Sequence, residues 1–153
     1  MGWGGKNWSL LIITVLFDRK DLVEYLLLTY TNINVNHRNY YGNTALHFCD
    51  KVSILKLFLD RRDLNIQNKW GQTGLHHACY SGRKACVKEN ILDTRVDALI
   101  RDNQGRTARD KALERRYPEI AKIINNSGRT SLLRIPNKVL LYDIVRMIIE
   151  EYT

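Results

Sequence analysis

The chain has 153 residues, 44% hydrophobic and 26% charged, which suits one folded domain burying roughly two-thirds of its unfolded surface and excludes a disordered chain. Lys and Arg number 24 against 16 Asp and Glu; the formal charge of +8 favours acidic partners or phosphate-rich surfaces without choosing between them. Cys49, Cys79 and Cys86 are an odd count without CxxC spacing, in stretches that read as helices, which fits a reducing compartment.

The first apolar run, "WSLLIITVLF" at residues 8 to 17, is shorter than the roughly 20 residues a bilayer span needs. "DRKDL" follows it without a small-residue cleavage site, so no signal peptide is read there. Met1-Gly2 suggests myristoylation, but Lys6 stands where Ser or Thr is required. No membrane association is expected.

From Ser9 onward one pattern recurs, beginning at Ser9, Thr44, Thr73 and Thr107, in steps of 35, 29 and 34 residues. Before each of the last three stands the same block, "NYYGNT", "NKWGQT" and "DNQGRT". The Gly permits positive φ and the Asn or Asp can bond its own backbone, so each block predicts a tight hairpin turn leading to a helix N-cap at Thr. Small and apolar residues come next, as in "GLHHACYSG", then a second helical stretch such as "DLVEYLLL" or "SILKLFLD".

A period near 33 residues with one turn and two helices resembles the ankyrin-repeat family, across residues 7 to about 126. The match rests on Leu11, Leu46 and Leu75 at the leucine site, His47 and His76 at the histidine site, Thr14, Cys49, Ala78 and Ala112 at the small-residue site, and Gly82 between helices. The expectation is an all-α ankyrin solenoid of four repeats over residues 1–126, with residues 127–153 forming a linker and a C-terminal helix.

Departures from the pattern carry expectations of their own. The second copy lacks an inter-helix Gly segment in "CDKVSILKLF", so a helix is shortened there or the two helices are joined by a tighter turn. In the third, "VKENILDTRVDALIRDN" predicts a polar, loosely packed second helix. The fourth carries Arg109 and Asp110 at the Leu and His sites, as a terminal repeat with no further neighbour can, and Pro118 suits the first turn of its second helix.

The resemblance implies that His47 and His76 bond the corner at the helix cap; no nucleophile or carboxylate constellation surrounds them. A zinc site from His76, His77, Cys79 and Cys86 has poor geometry, because His77 points about 100° from His76 on one helix. Gly2, Gly4 and Gly5 lack the Lys-Ser/Thr of a P-loop. No enzyme, metal or cofactor is read here.

A repeat stack instead offers a concave surface whose variable positions bind partners. These are Tyr40, Tyr41 and Asn43, then Lys69, Trp70 and Gln72, then Asn103, Gln104 and Arg106, extended by Tyr80 and Ser81 and made basic at the fourth repeat by Lys111, Arg115 and Arg116. Tyr40, Tyr41 and Trp70 are the preferred anchors, since exposed aromatics bury much area at little rotamer cost; the alternative is that they pack on the neighbouring turn. Nucleic acid is not the expected partner, because basic residues are interleaved with acids, as in "ARDKALERR", and no nucleic-acid-binding motif is present.

After "NNSGRTS", read as a polar linker, Leu140, Leu141, Ile144, Val145 and Ile148 recur at helical spacing and suit a helix that caps the last repeat. "LLRIPNKVLLYDIVRMI" also resembles the opening of an F-box, which implies docking on the Skp adaptor of a ubiquitin ligase; Ile135 stands for Leu and Lys138 for an acid. A short, free-standing stack with "NINVNHRNYYGNTALHFC" in its second turn is similar to the inhibitor-of-NF-κB-like ankyrin proteins of insect-associated viruses. That likeness implies sequestration of a Rel-type transcription factor in the cytoplasm or nucleus, with the stack itself as effector. The charge of +8 sits awkwardly with gripping a basic nuclear-localisation segment.

Overall fold

The computed structural model describes residues 8–59 and 63–133. Among them the chain is helical, with one isolated bridge between Arg101 and Thr107. Helices come in pairs: α1 (Leu10–Leu16) with α2 (Lys20–Thr29), a four-residue 3₁₀ turn (Ala45–Phe48) with α3 (Val52–Leu59), α4 (Gly74–Tyr80) with α5 (Lys84–Leu92), and α6 (Ala108–Glu114) with α7 (Pro118–Leu133). First members stack on first members in the order α1, 3₁₀ turn, α4, α6, and second members in the order α2, α3, α5, α7. The result is the four-unit helical solenoid expected from the repeat.

The repeated Thr starts each first helix by a reciprocal contact. Thr73 Oγ1 accepts from His76 N at 3.5 Å while Thr73 N donates to His76 Nδ1 at 3.2 Å. At the last corner Asp110 fills the histidine's role, its Oδ2 accepting from Thr107 N at 2.9 Å and from the Thr107 hydroxyl at 2.8 Å. Ser9 caps α1 through Ile12 N at 3.2 Å. Each box satisfies donors that a helix end would leave unpaired.

One apolar seam runs between the two helix layers. Leu11, Ile12 and Val15 of α1, Ile54, Leu55 and Phe58 of α3, Cys86 and Val87 of α5, and Ile120 of α7 are all buried in it. Each such side chain contributes about 1.5–3 kcal/mol of burial energy if a Leu, Ile, Val or Phe. The polar α5, expected to pack loosely, still buries Cys86, Val87 and Asn90; Asn90 Nδ2 bonds Cys86 O within the helix at 2.9 Å.

Corners between paired helices need a left-handed residue. Gly82 provides one at φ 72°, and Asp18 and Arg116 adopt φ 57° and 62° at the equivalent positions. The second repeat has no such corner: its first helix shrinks to the 3₁₀ turn and passes through Asp50 and Lys51 into α3, as the 29-residue step requires. α7 differs from the expected linker. The helix begins at Pro118 and continues through "NNSG" to Leu133, because the apolar spacing of Ile120, Ala121 and Ile124 outweighs the helix-weakening Asn and Gly. The stripe from Leu140 to Ile148 and the part of the F-box-like segment beyond Leu133 lie outside the described residues.

Two turn glycines separate conformational need from space. Gly71 (φ +74°) and Gly105 (φ +76°) are both left-handed, but a Cβ on Gly71 would stand 2.5 Å from Asn103 Oδ1 and 2.8 Å from Asn103 N, whereas nothing lies within 4 Å at Gly105. Gly105→Ala is expected to cost about 1–2 kcal/mol for the backbone alone, and Gly71→Ala roughly 1–3 kcal/mol more for overpacking. Urea unfolding of the two variants checks this; equal losses would mean the neighbouring turns are not packed in this register.

Candidate partner-binding surface

Three turns build the rim of the concave face. In each, the leading side chain holds the loop by two backbone donors: Asn39 Oδ1 accepts from Tyr41 N and Asn43 N at 3.0 Å, Asn68 Oδ1 from Trp70 N and Gln72 N at 3.0 Å, and Asp102 Oδ1 from Gln104 N at 3.0 Å and Arg106 N at 2.9 Å. Adjacent turns are tied by Lys69 N to Tyr41 O at 3.0 Å and Asn103 N to Trp70 O at 2.9 Å. With backbone groups paired in this way, the tip side chains project from a fixed ladder.

The aromatics both pack on one another and stay open. Tyr41 stacks on Trp70 with centroids 5.7 Å apart, and Tyr40 meets Tyr41 edge-on at 5.4 Å. Lys69 Nζ sits 3.7 Å above the Tyr40 ring, within cation–π range. Tyr40 nevertheless keeps 59% of its surface exposed and Trp70 50%, while Tyr41 is half-buried between them. A rigid, half-open aromatic row is the arrangement expected of binding anchors.

Other sequence-chosen positions divide. Asn103 and Gln104 are exposed at the third tip, although the Asn103 carboxamide also bonds Lys69 O at 2.9 Å. Asn43 is a correction: it is buried, and its Oδ1 accepts from Asn68 Nδ2 at 2.8 Å, joining one turn to the next. Arg106 is likewise committed, bonding Asp102 Oδ2 at 3.0–3.1 Å and Glu114 Oε2 at 3.0 Å. Lys111 does not make the fourth repeat basic, for it is buried with its ammonium 3.5 Å from Asp102 and 3.6 Å from Glu114. Burial would raise the Asp102 carboxyl, but the Arg106 and Gln104 N–H groups and the Arg106 charge outweigh it and hold it low.

Behind the tips, α4 and α6 flank a groove of roughly 580 Å³. Five sequence-chosen residues meet there, Gln72, Tyr80, Ser81, Gln104 and Arg106, together with His77. Tyr80 is 42% exposed, with the Arg115 guanidinium 4.6 Å from its ring centre. The sequence marks His77 only as a potential metal ligand; on the groove wall it stands one residue past the buried corner His76, with its Nε2 3.3 Å from Asn68 Nδ2 and its ring 5.2 Å from that of His47 in the preceding repeat. Among the described residues no group of three or more His, Cys, Asp or Glu is arranged to hold a metal ion. The three thiols are buried, and burial pushes Cys49 and Cys79 up to about 12, so these two stay protonated at neutral pH.

The corner histidines tie the site together. His47 accepts from Thr44 N at Nδ1 (3.0 Å), so its proton is on Nε2, which donates to Gln72 O of the next turn at 2.9 Å. His76 does the same between Thr73 N and Arg106 O, at 3.2 Å each. A second proton would put a donor against the Thr N–H, and burial lowers His47 to about 4, His77 to about 3, and His76 also.

Stacked helix pairs with a fixed rim of turns and a polar concave face define a solenoid interaction module. The chain belongs to the ankyrin-repeat family: a model described as ankyrin repeats (3 copies) matches residues 48–131, and one described as ankyrin repeats (many copies) matches residues 11–59. Ankyrin repeats are non-enzymatic protein–protein interaction modules. The chain is 33% identical over 113 residues to the bovine SMC5-SMC6 complex localization factor protein 1, covering 70% of this chain and 11% of that protein; the human form gives 32% over 111 residues, 69% and 10%. A putative ankyrin repeat protein of fowlpox virus is 30% identical over 126 residues, 77% of this chain and 37% of its own length. The chain thus spans about a tenth of the mammalian relatives and little more than a third of the viral one. No described helix is long and apolar enough to cross a membrane.

The histidine geometry predicts acid sensitivity. Each of the three has a folded pKa below its unfolded value of 6.5, so the folded state binds fewer protons than the unfolded one. Stability is therefore full above pH 6.5 and falls as pH drops, His47 alone losing on the order of 3 kcal/mol by pH 4. Urea midpoints at pH 7, 5.5 and 4.5 should decline in that order, and His47→Gln should flatten the slope; midpoints constant over this range would contradict the corner hydrogen bonds.

Proposed function

We propose that the chain acts by occupancy, holding a protein partner against its turn tips and concave face. The observation that carries this reading is the half-exposed aromatic row Tyr40, Tyr41 and Trp70 on turns whose backbone is already paired, so binding costs little further ordering. A Rel-type transcription factor is the partner named by the resemblance to inhibitor-of-NF-κB-like viral proteins, and the likeness to a fowlpox ankyrin protein is in keeping with a viral setting. On that reading the chain suppresses signalling by sequestration in the cytoplasm or nucleus.

Similarity to the SMC5-SMC6 complex localization factors favours a second reading, in which the repeats help bring a protein complex to its place, as the name of those relatives states for them. Docking on a Skp adaptor would use the F-box-like segment that opens at Leu132, and its test is deletion of residues 132–153, which should abolish Skp binding, leave the repeats folded and spare binding at the turns. For the main reading, purified chain is offered a Rel homology region and the SMC5-SMC6 complex in parallel pull-downs. Tyr40→Ala with Trp70→Ala should weaken the captured partner by roughly 2–4 kcal/mol, with the helical circular dichroism unchanged. Capture that ignores both substitutions would place the interface elsewhere.

A further inference from the structure

We infer that the groove between α4 and α6 seats a short extended segment of the protein partner bearing an Asp or Glu carboxylate, with Arg115 as the group that selects it. This rests on the reading that the concave face binds protein, and it names the chemistry that face accepts.

The first support is a set of polar groups left uncommitted on the groove wall. Asn68 Oδ1 is taken by two backbone N–H groups, so its Nδ2 faces Asn43 Oδ1 at 2.8 Å and His77 Nε2 at 3.3 Å. His77 Nε2 is thereby the acceptor, and the ring's single proton is on Nδ1. That N–H, the Gln72 and Gln104 carboxamides and the Ser81 hydroxyl have no hydrogen-bond partner among the described residues. A carboxamide both donates and accepts, the pairing that the N–H and C=O of an extended peptide require.

The second support is the charge balance. On the groove floor Arg106 and Lys111 are matched by Asp102 and Glu114, two positive charges against two negative. Arg115 stands apart, exposed at the rim, its guanidinium over the Tyr80 ring with no acid partner among the described residues. A single carboxylate laid beside it gains a charge-assisted bond on an aromatic support. A polyphosphate backbone fits poorly, because the half-exposed Glu114 would face it and one free cation neutralises little of its charge.

Phage-displayed random dodecapeptides selected on the purified wild-type chain test this, with enriched sequences resynthesised and titrated by fluorescence anisotropy. The enriched peptides should share an Asp or Glu at one fixed position. Changing that acid to its amide, or making Arg115→Ala in the protein, should each weaken binding roughly tenfold or more, and the two changes together no further, as expected when they remove one and the same bond. Gln104→Ala should weaken binding severalfold, and Lys56→Ala, on α3 and away from both the groove and the turn tips, should leave it within twofold. Failure to enrich any peptide, enrichment without an acidic position, or titrations indifferent to Arg115→Ala would each overturn the assignment. If a captured protein depends on Tyr40 and Trp70 while the peptides ignore Arg115, the groove assignment falls and the partner-binding reading stands. Arg115-dependent peptides beside protein capture indifferent to the turn tips would sink only the tip interface.

Discussion

The register of the described stack depends on one contact made at three of its four helix starts: a side chain at the third position of a short helix that bonds backward to its own capping Thr and, when it is histidine, forward to the next turn. His47 reaches Gln72 O and His76 reaches Arg106 O, in each case the residue just before the following Thr. Such a bond fixes how far one repeat is translated and rotated against the next. Without it the apolar seam alone would tolerate sliding, since hydrophobic burial is non-directional. With it, the tips at Tyr41, Trp70 and Asn103 fall into register closely enough for backbone-to-backbone bonds between turns.

That register explains why so much of the fold is legible in the sequence and why parts of the surface are not. The repeat of Gly, Thr, Leu and His encodes local conformation and one recurring packing mode, so the four units, their N-caps and the shortened second copy can be read from spacing. Asn43 and Arg106 look free in the sequence because each occupies a position that varies between repeats. Variation, however, only shows that no common partner exists: Asn43 meets Asn68, and Arg106 meets Asp102, through contacts particular to those two copies. Asp110 has the sequence appearance of a polar residue in a terminal repeat, yet its carboxylate makes the same backward bond as a histidine. Having no N–H in its side chain, it offers no forward bond, which suits the last corner in the described stack.

The second limit on legibility is charge. A formal +8 suggests a basic face, yet the cations divide into those consumed and those displayed, and composition cannot tell them apart. Lys111 reads as an exposed helix residue from the polar run "ARDKALERR", but it turns inward because Asp102, buried by its two backbone bonds, requires a counter-charge at close range. The cost of burying Asp102 is met by Arg106 and Lys111 together, and Glu114 then balances the second cation. A local network of four charges arises from one turn residue, Asp where the other turns carry Asn.

This difference between the turns separates the two ends of the concave face chemically. The turns led by Asn39 and Asn68 are uncharged at that position, each Oδ1 accepting only backbone N–H groups, and the tips beside them carry Tyr40, Tyr41 and Trp70. The turn led by Asp102 draws Arg106 and Lys111 toward itself, and its own tip is polar, Asn103 and Gln104. On the proposed reading, a partner lying along the stack meets an apolar, shape-selective row first and a polar, charge-balanced groove second. Aromatic contact supplies most of the affinity in such an arrangement, while the groove discriminates, because a wrong partner would leave its buried polar groups unpaired. Affinity and selectivity are thus assigned to different repeats, and the single exchange of Asn for Asp at the head of one turn is what divides them.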